Sequence, residues 1–266
     1  MILWCDGAHS PGENMRRDEA LLAALERAHE EPAGGRPEPV LRLFRFAPHG
    51  ITLGRSQRPE RVLDLARCAA DGVPWAVRPT GGRAIFHAEE WTYSLAASIG
   101  DPDWGGALSE AYGKAVGLVL RSLVRLGVPA ALAPRPVRAA TARDLAGAAC
   151  FAATARHEIV LGGRKLAGSA QRRTAHALLQ QGSVLLGPGH LRLADYLALP
   201  AEERDAARAE LSASTAPAGP WLGLDAPLER WADSLTAELS GVRRLDGAAG
   251  GVLLTLAEAG SYTAPR

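Results

Sequence analysis

Hydrophobic residues follow a helical period in several parts of the chain. Residues 106–126 carry apolar side chains every three or four positions, which predicts an amphipathic helix that Gly127 ends. The same signal predicts helices over residues 15–30 with Asn14 as N-cap, over 60–70, over 191–211 with an interruption at Pro200, and over 224–239.

Alternating or short apolar runs predict strands between these helices. The predicted strands cover residues 40–46, 51–54, 73–77, 84–87, 91–97 and 180–186. Gly162 and Gly163 separate two further runs, 158–161 and 164–167, and predict a β-hairpin. Residues 129–147 are rich in Ala, Pro and Arg and predict a flexible loop. Because the strands do not alternate regularly with helices, we expect an α+β fold in a single domain over residues 1–266.

Composition and charge narrow the function classes. The 266 residues are 47% hydrophobic and 22% charged, and a net charge of +1 gives no field that would attract nucleic acid. The three cysteines, Cys5, Cys68 and Cys150, are too widely spaced for a disulfide framework or a zinc site. No apolar run approaches the ~20 residues that span a bilayer, and the start lacks a signal-peptide core. We therefore expect a cytoplasmic protein with free thiols and no membrane partner.

The first segment with chemical potential is the turn between Arg78 and His87. Gly81 and Gly82 let a ligand approach the backbone closely, and Arg78 and Arg83 bracket the turn with cationic donors. A plain β-turn with two solvated arginines is the simpler interpretation, and a single histidine is more often structural than catalytic. The cluster as a whole favours a binding loop.

The second segment runs from Cys150 to Arg173. The turn at 162–163 reverses the chain, so Cys150 and Lys165 can come close together, and a thiol beside an amine favours thiolate and ammonium. Such a thiolate attacks a thioester, and such a lysine takes a proton from an accepting amine. From the residues alone, a buried Cys150 and a solvated Lys165 are the more ordinary interpretations.

Four motifs in a fixed order give the chain a family resemblance. They are Asn14-Met15-Arg-Arg-Asp18-Glu19, Leu53-Gly54-Arg55-Ser56-Gln57, Arg78-Pro-Thr-Gly-Gly-Arg-Ala-Ile-Phe-His87 with Thr92-Tyr93-Ser94, and Lys165-Leu-Ala-Gly-Ser-Ala-Gln171 with Gln181-Gly182-Ser183. Over about residues 14–231 the chain resembles the lipoate-protein ligase A and octanoyltransferase superfamily, which shares its catalytic fold with biotin protein ligases. The resemblance implies an α+β catalytic domain with a mixed, largely antiparallel sheet flanked by helices.

Within that superfamily, the chain is most similar to the octanoyltransferases that use octanoyl-acyl carrier protein. Gly-Gly-Arg at 81–83, Cys150-Phe151 and Gln171 match that branch, and the biotin-ligase signature is absent. Two features depart from it. Val77 stands where the branch often has a second arginine, and the segment before Cys150 is unusually rich in Ala and Arg.

The resemblance implies a role for each matching residue. Cys150 would accept the octanoyl group and Lys165 would act as acid and base. The implied substrate-binding residues are Arg78, Gly81, Gly82, Arg83, His87, Gly168, Ser169 and Ala170. The implied acceptors are lysines of the lipoyl domains of 2-oxoacid dehydrogenases and of the glycine-cleavage H protein, with no cofactor and no metal.

Three alternatives stay open at this point. An ATP-dependent lipoate-protein ligase would use ATP and magnesium, with Lys165 on the acyl-adenylate and no role for Cys150. A related transferase would take its acyl group from octanoylated H protein. A non-catalytic module would bind lipoyl domains or acyl carriers and would need neither residue.

Overall fold

The computed structural model describes residues 1–30, 37–133 and 158–247, and its centre is an eight-stranded sheet. The strands lie in the order β11 (Arg243–Asp246), β1 (Ile2–His9), β2 (Val40–Phe46), β6 (Glu90–Ser98), β10 (Ala177–Leu185), β9 (Arg164–Arg173), β8 (Ile159–Leu161) and β7 (Ala130–Leu132). Strand β1 is parallel to both of its neighbours, and the other pairs are antiparallel. The predicted α+β class with a mixed, largely antiparallel sheet is confirmed.

Helices and a second sheet complete the architecture. The helices are α1 (Pro11–Glu30), α2 (Pro59–Val62), α3 (Leu65–Ala70), α4 (Leu108–Arg125), α5 (Ala201–Ser214), α6 (Gly219–Leu222) and α7 (Leu228–Thr236), with a 3₁₀ helix over Pro188–Tyr196. A three-stranded sheet has the order β4 (Trp75–Val77), β3 (Gly50–Leu53) and β5 (Ile85–His87). Of the helices in the described ranges, none has the length and apolar character needed to cross a membrane.

The two faces of the large sheet bury different partners. Leu41 and Leu43 of β2 belong to the core cluster that holds α4 and α7, including the fully buried Trp231. Successive strand residues point to opposite faces, so Val40 and Arg42 face the other side, which α1 covers. The small sheet packs on this same face, beyond α1. The large sheet is therefore buried on both sides, and its second face is shared between α1 and the small sheet.

The start of α1 differs from the prediction. The helix begins at Pro11, and the hydroxyl of Ser10 accepts a 3.3 Å hydrogen bond from the N–H of Glu13. Asn14 therefore lies inside the first turn and does not cap the helix. Its buried side chain instead donates to the carbonyl oxygens of His9 and Arg45 at 3.0 and 2.9 Å. The N-cap prediction is wrong because Pro11 suits the first helical position and sets the boundary earlier.

Other boundaries moved for local reasons. The predicted helix over 60–70 is two short helices, because Asp64 accepts from the N–H of Arg67 at 3.0 Å and starts a new helix. Residues 191–211 divide before Pro200 into the 3₁₀ helix and α5. Strands β1 and β11 were not predicted. The predicted loop over 129–147 begins with β7, which pairs with β8, and its remainder from residue 134 lies outside the described residues.

A buried ionic network ties α1 to four strands of the large sheet. The Asp18 carboxylate is fully buried and accepts from Arg42 Nη1 at 2.7 Å, Ser94 Oγ at 2.7 Å and Gln181 Nε2 at 2.6 Å. Arg42 is equally buried and also donates to Asp6 of β1 at 2.7 Å. Each charge has an opposite charge at hydrogen-bond distance, which offsets the cost of burial.

Replacing Asp18 with alanine is expected to destabilise the fold by about 3 kcal/mol. The change leaves the buried Arg42 guanidinium with Asp6 as its remaining counter-charge and removes the carboxylate that accepts from Ser94 and Gln181. Urea unfolding measures this loss. Glu13→Ala is the control, because Glu13 pairs with Arg16 and Arg17 near the surface and its removal should cost about 0–1 kcal/mol. Equal losses of unfolding free energy in the two variants would contradict the assignment of Asp18 to a buried network that stabilises the fold.

Candidate functional site

A cavity lies where the small sheet meets the second face of the large sheet. About 390 Å³ of space, which includes open solvent at the mouth, lies between the lining residues, and Met15, Phe44, Phe46 and Ile85 make much of the wall apolar. Five of the predicted substrate-binding residues line it: Arg78, His87, Gly168, Ser169 and Ala170. The structure therefore brings the two predicted segments, the 78–87 turn and the strand after Lys165, to one cavity.

Arg78 holds the Gly-Gly turn from inside. Its guanidinium is buried and donates to the carbonyl oxygens of Gly81 and Arg83, both at 2.8 Å, and to that of Thr52 at 3.3 Å. A single planar side chain thereby fixes both ends of the turn against β3. Arg78, which was predicted as a cationic donor to a ligand, therefore holds the backbone of the loop in place.

The motif at residues 53–57, which had no assigned role, supports the same turn. A Cβ on Gly54 would lie 1.9 Å from the carbonyl oxygen of Gly82, so only glycine fits there. Gly82 has φ +95°, a conformation that glycine adopts without strain. The N–H of Gly54 donates to the Gln57 side chain at 2.9 Å, and the N–H of Arg55 donates to the carbonyl of Thr80 at 3.0 Å. Two motifs thus form one loop pair.

Thr80 connects this loop pair to the buried ionic network. Its hydroxyl donates to Gln181 Oε1 at 2.6 Å, and the amide of Gln181 donates to Asp18. Thr80 and Asp18 are both fully buried. The position of the Gly-Gly turn is therefore set by a chain of hydrogen bonds that ends on α1. Three residues that were also predicted to bind substrate are not among the cavity-lining residues: Gly81, Gly82 and Arg83.

His87 is held on three sides at the cavity wall. Its ring stacks on Phe46 with the centroids 3.8 Å apart, Nδ1 lies 2.6 Å from Glu90 Oε1, and Nε2 lies 2.6 Å from the Thr52 hydroxyl. The same oxygen of Glu90 also accepts from the hydroxyl of Thr92 at 2.6 Å. This geometry fits an orienting role for His87. Glu90 was not among the predicted site residues, although a carboxylate three residues after a histidine is a usable signal.

A β-bulge turns Lys165 toward the cavity face of the sheet. Ile159 of β8 pairs with Ala167 of β9, but the next residue, Val160, pairs with Lys165, so β9 carries one extra residue, Leu166. Paired residues share a face, so Ala167 lies with Ile159 in the core under α4 and α7, and Lys165 lies opposite. Without the bulge, strict alternation would place the lysine in that core.

Beyond the bulge, β9 keeps the cavity-facing pattern. Gly168 and Ala170 pair with Ser183 and Gln181, which line the cavity. Ser169 faces the other side, where its hydroxyl is 2.8 Å from the hydroxyl of Tyr93, so its contribution to the cavity comes from its backbone. Pairing with β8 ends at Ala167, so within the described residues the N–H of Ser169 points away from β10 with no strand beside it.

Lys165 is buried with a carboxylate partner. Its Nζ lies 2.6 Å from Glu158 Oε1, and the side chains are 1% and 6% exposed. A solvated Lys165, the more ordinary interpretation of the sequence, is therefore wrong, and Glu158 was not predicted as its partner. Cys150, the predicted nucleophile, lies outside the described residues, so its proximity to Lys165 stays a prediction.

Comparison with known proteins places the chain in a family. Residues 10–240 match the family model described as "Lipoyl protein ligase A/B catalytic domain". The chain belongs to this family. The predicted superfamily is confirmed, and enzymes of the family act on protein substrates.

Relatives and solved structures agree with this assignment. An octanoyltransferase LipM from an Exiguobacterium species is 37% identical over 76% of this chain and 72% of its own length. The octanoyltransferase LipM of Symbiobacterium thermophilum is 39% identical over 68% of this chain and 64% of its own length. The bi-partite lipoate protein ligase of Thermoplasma acidophilum superposes with a TM-score of 0.64 at 19% identity, covering 99% of both chains, which shows the shared fold.

Gly54→Ala is expected to displace the Gly-Gly turn and to destabilise the protein by about 2 kcal/mol, because the added methyl group overlaps the Gly82 carbonyl. Thermal unfolding and amide hydrogen exchange of residues 78–83 measure these effects. Gly113→Ala in α4 is the control. Nothing lies within 4 Å of a Cβ there, and alanine should stabilise the helix by about 0.5–1 kcal/mol. Unchanged exchange in the Gly54 variant would show that the contact is dispensable.

Proposed function

We propose that this chain is an octanoyltransferase that moves an octanoyl group from a carrier-protein thioester to a lysine of a lipoyl-accepting protein. The relatives named octanoyltransferase LipM support this activity and the predicted acyltransferase class. The observation that carries the proposal is the buried Lys165, which the β-bulge turns onto the face that holds an apolar cavity. An amine at such a place suits proton transfer beside an acyl group.

The first half-reaction loads the enzyme. The Cys150 thiolate attacks the carbonyl carbon of octanoyl-acyl carrier protein, a new C–S bond forms and the carrier's C–S bond breaks. The leaving thiolate takes a proton from the Lys165 ammonium and departs as a thiol. The N–H of Ser169, at the edge of β9 that faces away from β10, is the proposed donor to the oxyanion.

The second half-reaction transfers the acyl group to the acceptor. The amine of the acceptor lysine attacks the acyl-enzyme, the C–N bond forms, and Lys165 takes the surplus proton. The C–S bond then breaks and restores the Cys150 thiolate. An amide is more stable than a thioester, so the exchange runs downhill and the proposal needs no ATP and no metal.

The proposed protein partners follow the predictions. The donor is octanoyl-acyl carrier protein, and the acceptors are lipoyl domains of 2-oxoacid dehydrogenases and the glycine-cleavage H protein. A reducing compartment keeps the thiol free, so the proposed location is the cytoplasm. The main competing function is an ATP-dependent lipoate ligase, because the fold is shared with a lipoate-protein ligase A that was solved with ATP (TM-score 0.64, 20% identity).

Cys150→Ala is expected to abolish octanoyl transfer, because no other group forms the acyl-enzyme. Intact-mass measurement after mixing with octanoyl-acyl carrier protein should show one added octanoyl group on the wild type and none on the variant. Cys68→Ala is the control, since Cys68 is buried in the core next to the small sheet. An octanoyl adduct on the Cys150 variant would remove that thiol from the mechanism.

The need for ATP separates the two functions. Incubation of the enzyme with octanoyl-acyl carrier protein and an apo lipoyl domain, without ATP, should add one octanoyl group to the domain. The parallel reaction with free lipoate, ATP and magnesium should add nothing. Modification in the second reaction alone, unaffected by Cys150→Ala, would establish the ligase in place of the transferase.

Thiol labelling tests which cysteine is reactive. Burial raises the pKa of Cys5 to about 11 and also raises the pKa of Cys68, so both stay protonated and unreactive near neutral pH. Iodoacetamide at about pH 7.5 should therefore label Cys150 first, as peptide mass mapping shows. Prior treatment with octanoyl-acyl carrier protein should prevent that labelling. Faster labelling of Cys5 or Cys68 would contradict this order.

A further inference from the structure

The lysine of the proposed mechanism is held rigidly at both its backbone and its amine. The carbonyl oxygen of Lys165 accepts from the N–H of Ala216 at 3.0 Å, and Thr215 forms a bridge with Lys165 on the edge of β9 opposite β8. The amine then lies 2.6 Å from the Glu158 carboxylate, with both side chains buried. Glu158 precedes β8, the strand that pairs with the bulged segment, so the bulge that turns the lysine also brings it to this carboxylate.

This pair differs from an ordinary surface pair in the same protein. Lys114 Nζ lies 3.1 Å from Glu110 Oε1 one helical turn away, but those side chains are 30% and 57% exposed. Water screens such a pair, and its net contribution is small. The Glu158 carboxylate and the Lys165 amine lie where water is excluded, so the electrostatic interaction between them is much stronger.

We propose that Glu158 is a positioning residue whose charge assists Lys165 in the second half-reaction and opposes it in the first. This inference rests on the proposed function. In the second half-reaction the amine gains a proton, and the carboxylate stabilises the positive charge that develops. In the first half-reaction the ammonium gives its proton to the carrier thiolate, and the same carboxylate opposes that loss. Glu158 therefore favours amide formation at the expense of loading.

The proton count closes over one cycle. Lys165 begins as an ammonium beside the Glu158 carboxylate and passes one proton to the departing carrier thiolate. It then receives one proton from the acceptor amine as the C–N bond forms. Glu158 stays ionised throughout and neither gains nor loses a proton. The net reaction exchanges a thioester and an amine for an amide and a thiol, with no other reactant.

The test measures the two half-reactions separately in Glu158→Gln, which keeps the shape of the side chain and removes its charge. Rapid-quench intact mass follows octanoyl loading from octanoyl-acyl carrier protein, and then transfer to an apo lipoyl domain. Transfer should slow by about tenfold or more while loading is unchanged or faster, so the octanoyl-enzyme accumulates. Glu110→Gln, the exposed counterpart, should leave both rates unchanged.

A merely structural role for Glu158 predicts a different result, because a displaced Lys165 would slow both half-reactions equally. Equal slowing, or no change in either rate, overturns the inference. Glu158→Asp keeps the charge and should preserve the ratio of transfer to loading. If Glu158→Gln does not fold, Glu158→Asp provides the test instead. A fall of about tenfold in the ratio of transfer to loading in Glu158→Asp would contradict the role of the charge.

The behaviour of the wild-type enzyme distinguishes a failure of the proposed acyl transfer from a failure of the role of Glu158, and the first failure would appear as a wild type that forms no octanoyl-enzyme. That result would reject the proposed acyl transfer itself, and the role of Glu158 with it. Normal loading and transfer in the wild type, with an unchanged ratio in Glu158→Gln, would reject the role of Glu158 alone.

Discussion

The buried ionic network centred on Asp18 is the constraint on which the rest of the site depends. One carboxylate joins α1 to β2, β6 and β10 through Arg42, Ser94 and Gln181. Through Gln181 it also reaches Thr80 and holds the start of the Gly-Gly turn. A buried charge tolerates little displacement of its partners, because each lost hydrogen bond leaves an unpaired group. The position of α1 thus fixes the position of the loop at Thr80 through two buried hydrogen bonds.

A second constraint, the bulge at Leu166, decides the chemistry of the site. It allows one strand to supply core residues to the α4 and α7 side and still present Lys165 to the cavity side. The lysine is then buried beside Glu158, on the sheet face that also holds a cavity with largely apolar walls. Where water is excluded, the electrostatic interaction between a carboxylate and an amine is strong, whereas the same pair on the surface is screened and contributes little.

The sequence predicted the regular parts of this structure well. Strand β2 was predicted with its observed bounds, and α4 and the β8–β9 hairpin followed from local patterns, whereas the roles of both cavity segments were implied by the family resemblance. The pairing of residues distant in sequence was not predictable in that way. Glu158 meets Lys165 only because of a bulge, which leaves no local pattern, and Gly54 needs its missing side chain because of Gly82 on another loop. Motif order indicated the family, and the tertiary contacts explain why those motifs occur together.

The proposed mechanism requires the sulfur of Cys150 and the amine of Lys165 to face the same acyl cavity. A crystal structure of the octanoyl-enzyme, trapped with octanoyl-acyl carrier protein and no acceptor, tests this requirement most directly. The expected structure has a thioester on Cys150 with its carbonyl carbon next to Lys165 Nζ and the octanoyl chain between Phe44, Phe46 and the 168–170 backbone. An octanoyl chain bound elsewhere, or a Cys150 sulfur packed away from Lys165 in an enzyme that still turns over, would contradict it.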